Sequence, residues 1–157
     1  MPLPDRSGGA EHVDVQVNPG DFDVPEALIE RAVRHAFRSH GATGGARGEV
    51  SVTFLSDEAI QALNGEYLSE DRPTDVIAFS LGGPERTLGD VYIGYDQAER
   101  QSAELGVVLR EELVRLAIHG TLHLLGHDHP AGVERAESPM FTLQERLVRE
   151  LLEGAGA

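Results

Sequence analysis

The chain contains no cysteine, no lysine and no tryptophan, and it has no long apolar run. Without cysteine it can form neither a disulfide nor a cysteine-ligated zinc or iron–sulfur site, and it has no thiolate nucleophile. Its apolar runs are a few residues long, far shorter than the roughly 20 residues of a membrane-spanning helix. No signal-peptide core is present near the first residues. These absences lead us to expect a soluble, cytoplasmic protein with no membrane partner.

Acidic residues outnumber basic ones by 27 to 13, and the formal net charge is −14. Surface carboxylates on this scale keep a protein solvated, and they repel nucleic acid unless the arginines cluster on one face. We expect no DNA partner. The 157 residues, 40% of them apolar, suffice for one domain with a core. We expect that domain at 11–153, between a flexible N terminus at 1–10 and a flexible C terminus at 154–157.

The spacing of apolar residues predicts four strands and five helices. The strands are expected at 12–18, 49–55, 75–81 and 88–94, and the helices at 25–40, 57–68, 96–105, 109–125 and 137–153, with 41–48 as a loop. Ser56 is expected to cap the second helix and Gly106 to end the third. Because helices precede, separate and follow the strands, the fold class is α+β. We expect a small mixed four-stranded sheet packed around the helix at 109–125, which is apolar almost all round.

Four of the seven histidines lie within eleven residues, in the run His119-Gly-Thr-Leu-His123-Leu-Leu-Gly126-His127-Asp128-His129. His119 and His123 are one helical turn apart, so both side chains leave the same face and can bind one ion. Gly126 predicts a left-handed residue that ends the helix, after which the chain can present His129 to the same ion. Three imidazoles with an open fourth position are typical of catalytic zinc, since structural zinc normally has four protein ligands.

Other residues of this run allow more than one interpretation. His127 either lines the site or is solvated, and Asp128 either holds a ligand imidazole in its tautomer or forms a surface pair. The histidine pair itself lies on an otherwise apolar helix, where unligated imidazoles would carry a desolvation cost. That cost favours a metal site.

The spacing His-x3-His-x5-His, with glycine three residues after the second histidine, matches the motif of the metzincin proteases. Metzincins have glutamate directly after the first histidine as the general base, whereas this chain has Gly120. A peptidase site here would keep its metal and lack its base. Zinc alone lowers the pKa of a bound water to about 7 and polarises a phosphoryl oxygen, so phosphodiester cleavage is the chemistry best suited to these groups.

The chain resembles the YbeY family, the single-domain bacterial endoribonucleases. The run 119–129 fits that family's motif His-Gly-x-Leu-His-Leu-x-Gly-x-Asp-His at every fixed position, and the resemblance extends over about residues 12–153. The other matching residues are Leu63, Asn64, Tyr67, Asp71, Pro73, Thr74, Asp75, Val76, Phe79, the strand 89–93, Met140 and Glu145.

The resemblance implies one Zn²⁺ ion bound by His119, His123 and His129, and cleavage of single-stranded RNA. It further implies maturation of the 16S rRNA 3′ end and late-stage quality control of the 70S ribosome, in the cytoplasm. The implied partners are the 16S rRNA precursor and the ribosome or small-subunit assembly proteins. Two other functions stay open. One is a zinc metallopeptidase, and the other is a non-enzymatic ribosome-assembly factor in which zinc only stabilises the segment that follows the helix.

The catalytic residues other than the metal ligands are less defined. Many family members have arginine directly after the tyrosine that matches Tyr67, where this chain has Leu68. The resemblance gives that arginine a catalytic role at the substrate phosphate. Either Arg72, four residues on, reaches the same phosphate, or this function is absent from the chain. Asp75 and Asp90 are expected on strands, where each is either a surface acid or a group that orients a ligand histidine or the substrate ribose.

One basic stripe is predicted in this acidic chain. Arg31, Arg34, His35 and Arg38 recur at spacings of three and four, opposite the apolar side of the first predicted helix. Such a stripe is either a solvated helix face or a contact surface for RNA phosphates. Arg31, Arg34 and Arg38 are therefore the candidate RNA-binding residues.

Overall fold

A computed structural model describes residues 12–40, 47–68, 74–82, 86–127 and 138–155. These ranges contain five helices and four strands, which confirms the predicted α+β class. In chain order they are β1 His12–Asn18, α1 Glu26–His40, β2 Arg47–Leu55, α2 Asp57–Leu68, β3 Val76–Ser80, β4 Thr87–Gly94, α3 Tyr95–Leu105, α4 Leu109–Leu124 and α5 Pro139–Ala155.

The four strands form one mixed sheet in the order β1-β2-β4-β3. The pairs β1–β2 and β2–β4 are parallel, and β3 pairs antiparallel with β4 at one edge. Parallel neighbours need a long crossover connection, and α1 supplies it between β1 and β2. The short segment between β3 and β4 permits their antiparallel pairing.

One face of the sheet is apolar and carries the core. Along β2, Val50, Val52 and Phe54 are buried, and the alternate residues are less buried. Because alternate side chains of a strand point to opposite faces, the helices cover the side that carries these three residues. The helix α4 contacts α1, α3, α5, β3 and β4, so it is the central helix that the sequence predicts.

The helix patterns are confirmed residue by residue. The predicted apolar stripe of α1 is buried and consists of Leu28, Ile29, Ala32, Val33, Ala36 and Phe37. The side chain of Ser56 accepts a hydrogen bond from the backbone N–H of Ala59 at 3.2 Å, as expected of a helix cap. Gly106 ends α3 in the left-handed conformation, with φ of 70°.

Several element boundaries differ from the predicted ones. β2 begins at Arg47, inside the predicted loop 41–48, because Arg47 and Gly48 pair with His12 and Val13 of β1. α5 begins at Pro139 rather than 137, because the Ser138 hydroxyl caps it by accepting from the Phe141 N–H at 3.1 Å. It continues to Ala155, two residues into the predicted flexible C terminus. The predicted flexible segment 1–10 lies outside the described residues.

The helices of the described ranges do not suit a bilayer. None of them combines the length and the apolar character that crossing a membrane requires.

Candidate metal centre

The two histidines of α4 converge at their Nε2 atoms. The Nε2 of His119 lies 3.1 Å from the Nε2 of His123, and the ring planes are inclined at 76°. Spacing of four residues on a helix brings both rings to one face, as predicted. His119 is only 3% exposed, whereas His123 is half-buried and closer to solvent. The pair therefore forms the inner wall of a site that opens outward.

The separation of the two nitrogens fits a shared metal ion. A tetrahedral zinc ion with Zn–N distances of about 2.0–2.1 Å holds two ligand nitrogens roughly 3.3–3.4 Å apart. The observed 3.1 Å is within a few tenths of an ångström of that value. Imidazole is also a ligand that zinc prefers, so the two residues fit the group in both geometry and chemistry.

Directly after the pair, the chain turns as the sequence predicts. Gly126 has φ of 100°, and its N–H donates to the His123 carbonyl at 3.0 Å. The N–H of His127 reaches back to the Leu122 carbonyl at 2.9 Å. These two bonds form a Schellman motif, which requires a left-handed residue and therefore favours glycine at 126.

The third predicted ligand, His129, lies outside the described residues, as do Asp128 and Arg72. Over the described ranges no cluster of three or more His, Cys, Asp or Glu side chains is arranged to hold a metal ion. The described part supplies two imidazoles, and ligation by His129 stays a prediction.

An open cavity of about 320 Å³ lies between the β3 edge of the sheet and the histidine pair. Among its described lining residues are Thr74, Asp75, Ser80, His119 and His123. Asp75 is thus brought next to the pair, although it precedes β3 rather than lying within the predicted strand 75–81. Its carbonyl accepts the Gly94 N–H at 2.9 Å, which holds this end of the cavity against β4.

Asp90, the other candidate aspartate, lies away from the histidines. Its neighbour Val91 faces α4, so Asp90 projects from the opposite face of the sheet. There its carboxylate accepts a hydrogen bond from the Ser51 hydroxyl at 2.8 Å. Asp75 and not Asp90 is therefore the aspartate of the candidate site.

Gly120 has a packing role that its sequence position did not indicate. A Cβ at this position would lie 2.6 Å from Cγ1 of Val91 and 3.3 Å from Cγ2 of Val76. Glycine thus allows α4 to approach β4 closely. A glutamate in this position, as metzincins have, would collide with the sheet, so this backbone excludes the metzincin base.

Sequence reasoning missed Gln144, which contacts the inner histidine. Oε1 of Gln144 lies 2.6 Å from Nδ1 of His119, and its Nε2 donates to Oε2 of Glu145 at 2.9 Å. Gln144 is 3% exposed. The one available signal was its place in the apolar stripe of the last helix, together with Met140, Leu147, Val148 and Leu151. Met140 is a core residue of this stripe.

Arg115 joins α4 to α5 beside this contact. Its Nε and one terminal nitrogen donate to the two oxygens of Glu145 at 2.8 and 2.9 Å, and it also pairs with Glu111 and Glu112. Burial works to lower the pKa of Arg115, but these hydrogen bonds outweigh it and raise the pKa above its ordinary value. Arg115 is therefore a charged structural link rather than a group free to bind RNA.

The ion pair between Arg115 and Glu145 leads us to expect a lower free energy of unfolding in acid. Burial works to raise the pKa of Glu145, but the hydrogen bonds from Arg115 and Gln144 outweigh it and hold the pKa below the ordinary value of 4.5. The unfolded chain then binds the proton more readily than the folded one, so Glu145 stabilises the fold above about pH 4.5, and this contribution is lost as pH falls through the lower folded pKa. We expect the free energy of unfolding to decrease over that window.

The measurement is urea unfolding between pH 3 and pH 7. The decrease should be shallower in Glu145→Gln, which cannot titrate at this position. The exposed Glu150→Gln serves as the control and should follow the parent curve. Identical slopes in the parent and Glu145→Gln would contradict the assigned pKa direction.

The predicted basic stripe of α1 is partly engaged within the fold. Arg34 donates to Glu30 at 3.1 Å and to the Val13 carbonyl at 2.8 Å, which ties α1 to β1. The His35 ring lies 3.0 Å from Glu150 of α5. Arg31 and Arg38 are exposed. Contact of Arg31, Arg34 and Arg38 with RNA stays a prediction.

The fold and the site together define an α+β protein whose central helix presents an imidazole pair to an open cavity beside a sheet edge. The profile of the family "Endoribonuclease YbeY" matches residues 14–152. The chain belongs to the endoribonuclease YbeY family.

Individual relatives agree with this assignment. A Bacillus licheniformis protein named Endoribonuclease YbeY is 42% identical over 140 residues, covering 80% of this chain and 86% of the relative. A protein of the same name from Chelativorans sp. (strain BNC1) is 35% identical over 158 residues, covering 95% and 92%. The solution structure of TM1509 from Thermotoga maritima is similar with a TM-score of 0.60 at 25% identity, covering 90% of each chain.

Proposed function

We propose that this protein is a zinc-dependent endoribonuclease that cleaves single-stranded RNA. The observation that carries the proposal is the histidine pair of α4, whose Nε2 atoms converge to 3.1 Å beside an open cavity. Membership of a family named for endoribonuclease activity supports the reaction class. His119, His123 and the predicted third ligand His129 would hold one Zn²⁺ ion.

When bound with one open position, a zinc ion would supply a bound water of pKa near 7 and would neutralise charge on a phosphoryl oxygen. The protein's own residues supply its ligands and the place for the substrate. His119 lies on the buried side, where its Nδ1 contacts Gln144 at 2.6 Å, and His123 faces the cavity. The open cavity of about 320 Å³ beside β3 is proposed to receive the substrate, and Asp75 on its wall is proposed to orient the substrate ribose. Arg72 is proposed to make the phosphate contact for which many family members have an arginine at the position of Leu68.

The family resemblance supports a proposal about the cellular role. We propose that the substrate is the 16S rRNA precursor, cut during maturation of its 3′ end, and that the protein acts in 70S ribosome quality control in the cytoplasm. Ribosome or small-subunit assembly proteins would bring the chain to its substrate. Such recruitment would compensate for the net charge of −14, which repels RNA and weakens its direct binding.

The experiment combines metal analysis with RNA cleavage. We expect the purified protein to carry about one zinc per chain by mass spectrometry and to cleave a single-stranded RNA. Prolonged chelation should abolish cleavage, and added Zn²⁺ should restore it, because the site depends on its ion. A fully paired duplex of the same sequence and casein are the controls, and neither should be cleaved.

Three results would overturn this proposal. Undiminished RNA cleavage by protein shown to be free of metal would exclude a metal-dependent nuclease. Zinc that stabilises the fold with no RNA cleavage in any preparation would instead favour the zinc-stapled assembly factor. Turnover of casein would favour the peptidase.

A further inference from the structure

We propose that Gln144 is a positioning residue that sets the tautomer and ring orientation of His119, and that Glu145 and Arg115 keep the Gln144 amide in the required orientation. The inference rests on the proposed metal site, because it concerns the inner ligand of that site. Gln144 lies on α5, 25 residues from His119 along the chain, so only the packing of α5 against α4 brings the two together.

The contact between the two side chains determines where the imidazole proton lies. The amide oxygen of Gln144 can only accept a hydrogen bond, so Nδ1 of His119, 2.6 Å away, must be the donor. In the neutral ring the other nitrogen, Nε2, then has no proton and keeps its lone pair. This Nε2 is the atom that faces His123 at 3.1 Å. The contact thus prepares the ligand atom in the protonation state that a metal needs.

The direction of the amide is fixed by its other end. Nε2 of Gln144 donates to Oε2 of Glu145 at 2.9 Å. A flipped amide could donate to an Nδ1 that lacks a proton, but it would place its oxygen against the carboxylate of Glu145. That contact would be repulsive, so Glu145 selects the observed amide direction and with it the proton on Nδ1 of His119.

Glu145 is in turn held by a fork of hydrogen bonds from Arg115, at 2.8 and 2.9 Å. Arg115 also donates to Glu112, which is 2% exposed and accepts from Gln101 of α3 at 2.8 Å. A connected set of side chains therefore runs from α3 through α4 to α5 and ends on His119. Bidentate arginine–carboxylate pairs restrict geometry strongly, which is what an orienting group requires.

The hydrogen bonds around Gln144 also explain why residue 144 is an amide and not a carboxylate. A carboxylate would also accept from Nδ1 of His119, and metal-bound histidines often have such a partner. Here its other oxygen would lie about as close to Oε2 of Glu145 as the amide nitrogen does now, at 2.9 Å. Two carboxylates in contact repel, so glutamate at 144 would conflict with Glu145. The neutral amide accepts from His119 and donates to Glu145.

The test compares Gln144→Leu and Glu145→Gln with the parent and with Glu150→Gln. The control removes a carboxylate from the same helix, where it contacts His35 and Arg146 on the surface instead. Zinc affinity is measured by competition with a chromogenic chelator. We expect Gln144→Leu to bind zinc about 10- to 100-fold more weakly, the range typical of lost partners of ligand histidines. Glu145→Gln should show a smaller loss in the same direction, and the control none.

A second readout does not need the metal. Nitrogen-15 NMR of the metal-free protein above pH 8 reports the tautomer of His119. The parent should show the proton on Nδ1, and Gln144→Leu should shift the population toward Nε2–H. Urea unfolding of each variant separates this effect from a merely structural one, which would lower stability and leave both the tautomer and the zinc affinity of the folded protein unchanged.

An unchanged His119 tautomer together with zinc affinity within threefold of the parent in Gln144→Leu would overturn the proposal. Failure of the proposed function would look different. In that case the parent itself would bind no zinc, while the tautomer shift in the metal-free protein would still decide the role of Gln144.

Discussion

Replacing His123 by alanine is expected to abolish RNA cleavage and leave the protein folded. The variant removes one of the two Nε2 atoms that converge at 3.1 Å, and with it the means to hold a metal ion in the cavity. We expect cleavage to fall by at least about 100- to 1000-fold, the loss typical of removing one group that stabilises charge in a transition state. Initial rates on a single-stranded RNA, with zinc content measured on the same sample, provide the check.

His123 is the better of the two histidines for this test. His119 is 3% exposed and bonded to Gln144, so its removal would leave a buried amide oxygen without its partner and would confuse stability with activity. His123 is half-buried on the cavity side. The matched control is His12→Ala, which removes an exposed imidazole from the first residue of β1 and should keep full activity. Retained cleavage in a folded, zinc-depleted His123→Ala would disprove the assignment of a catalytic site.

Gly120→Ala is expected to destabilise the fold, although alanine normally favours a helix. The added Cβ would lie 2.6 Å from Cγ1 of Val91, which is fully buried. Overpacking of this kind costs about 1–3 kcal/mol, and the helix preference of alanine returns up to about 1 kcal/mol. A separation of 2.6 Å is far inside van der Waals contact, so we expect a cost in the upper part of that range, about 2–3 kcal/mol, and a net loss of about 1–2 kcal/mol. Tm should fall by roughly 2–4 °C per kcal/mol in a protein of this size. Urea and thermal unfolding measure both quantities.

The chain offers a matched control in Gly154→Ala. Gly154 lies in the last turn of α5. Apart from its chain neighbours and its own helix backbone, no heavy atom of the described residues would lie within 4 Å of a Cβ added there, so alanine should be neutral or slightly stabilising. A double-mutant cycle with Val91→Ala tests the cause, because removal of the valine methyl groups makes room for the new Cβ. The double variant should lose less stability than the sum of the single variants. Equal stability of Gly120→Ala and the parent would show that α4 is not held this closely to β4.

Much of the fold could be predicted because its signals are local. Period-two alternation in β1 and the apolar stripe of α1 depend only on which side chains fall on one face of a strand or helix. The place of Gly126 after an apolar helix predicts a left-handed residue, and its φ is 100°. Boundaries were less accurate where pairing decided them. Arg47 is in a strand because His12 pairs with it, and no local pattern at 47 indicates that partner.

The candidate site could be predicted only in part. The helical spacing of His119 and His123 sufficed to place both imidazoles on one face. The spacing could not show which of Asp75 and Asp90 lies near the histidines. That depends on which strand borders the pair, and therefore on the strand order β1-β2-β4-β3. It also indicated nothing about Gln144, whose contact crosses 25 residues of chain.

By itself, the order of residues determined the α+β class, the central apolar helix and the histidine pair one turn apart, since each depends on spacing within a single element. Tertiary packing alone decided which groups surround that pair. It placed Asp75 at the cavity and Asp90 on the far face, turned Gly120 into a contact point with Val91, and brought Gln144 to His119. These relations join distant parts of the chain, and they arise only when the helices and the sheet bury their apolar faces against one another.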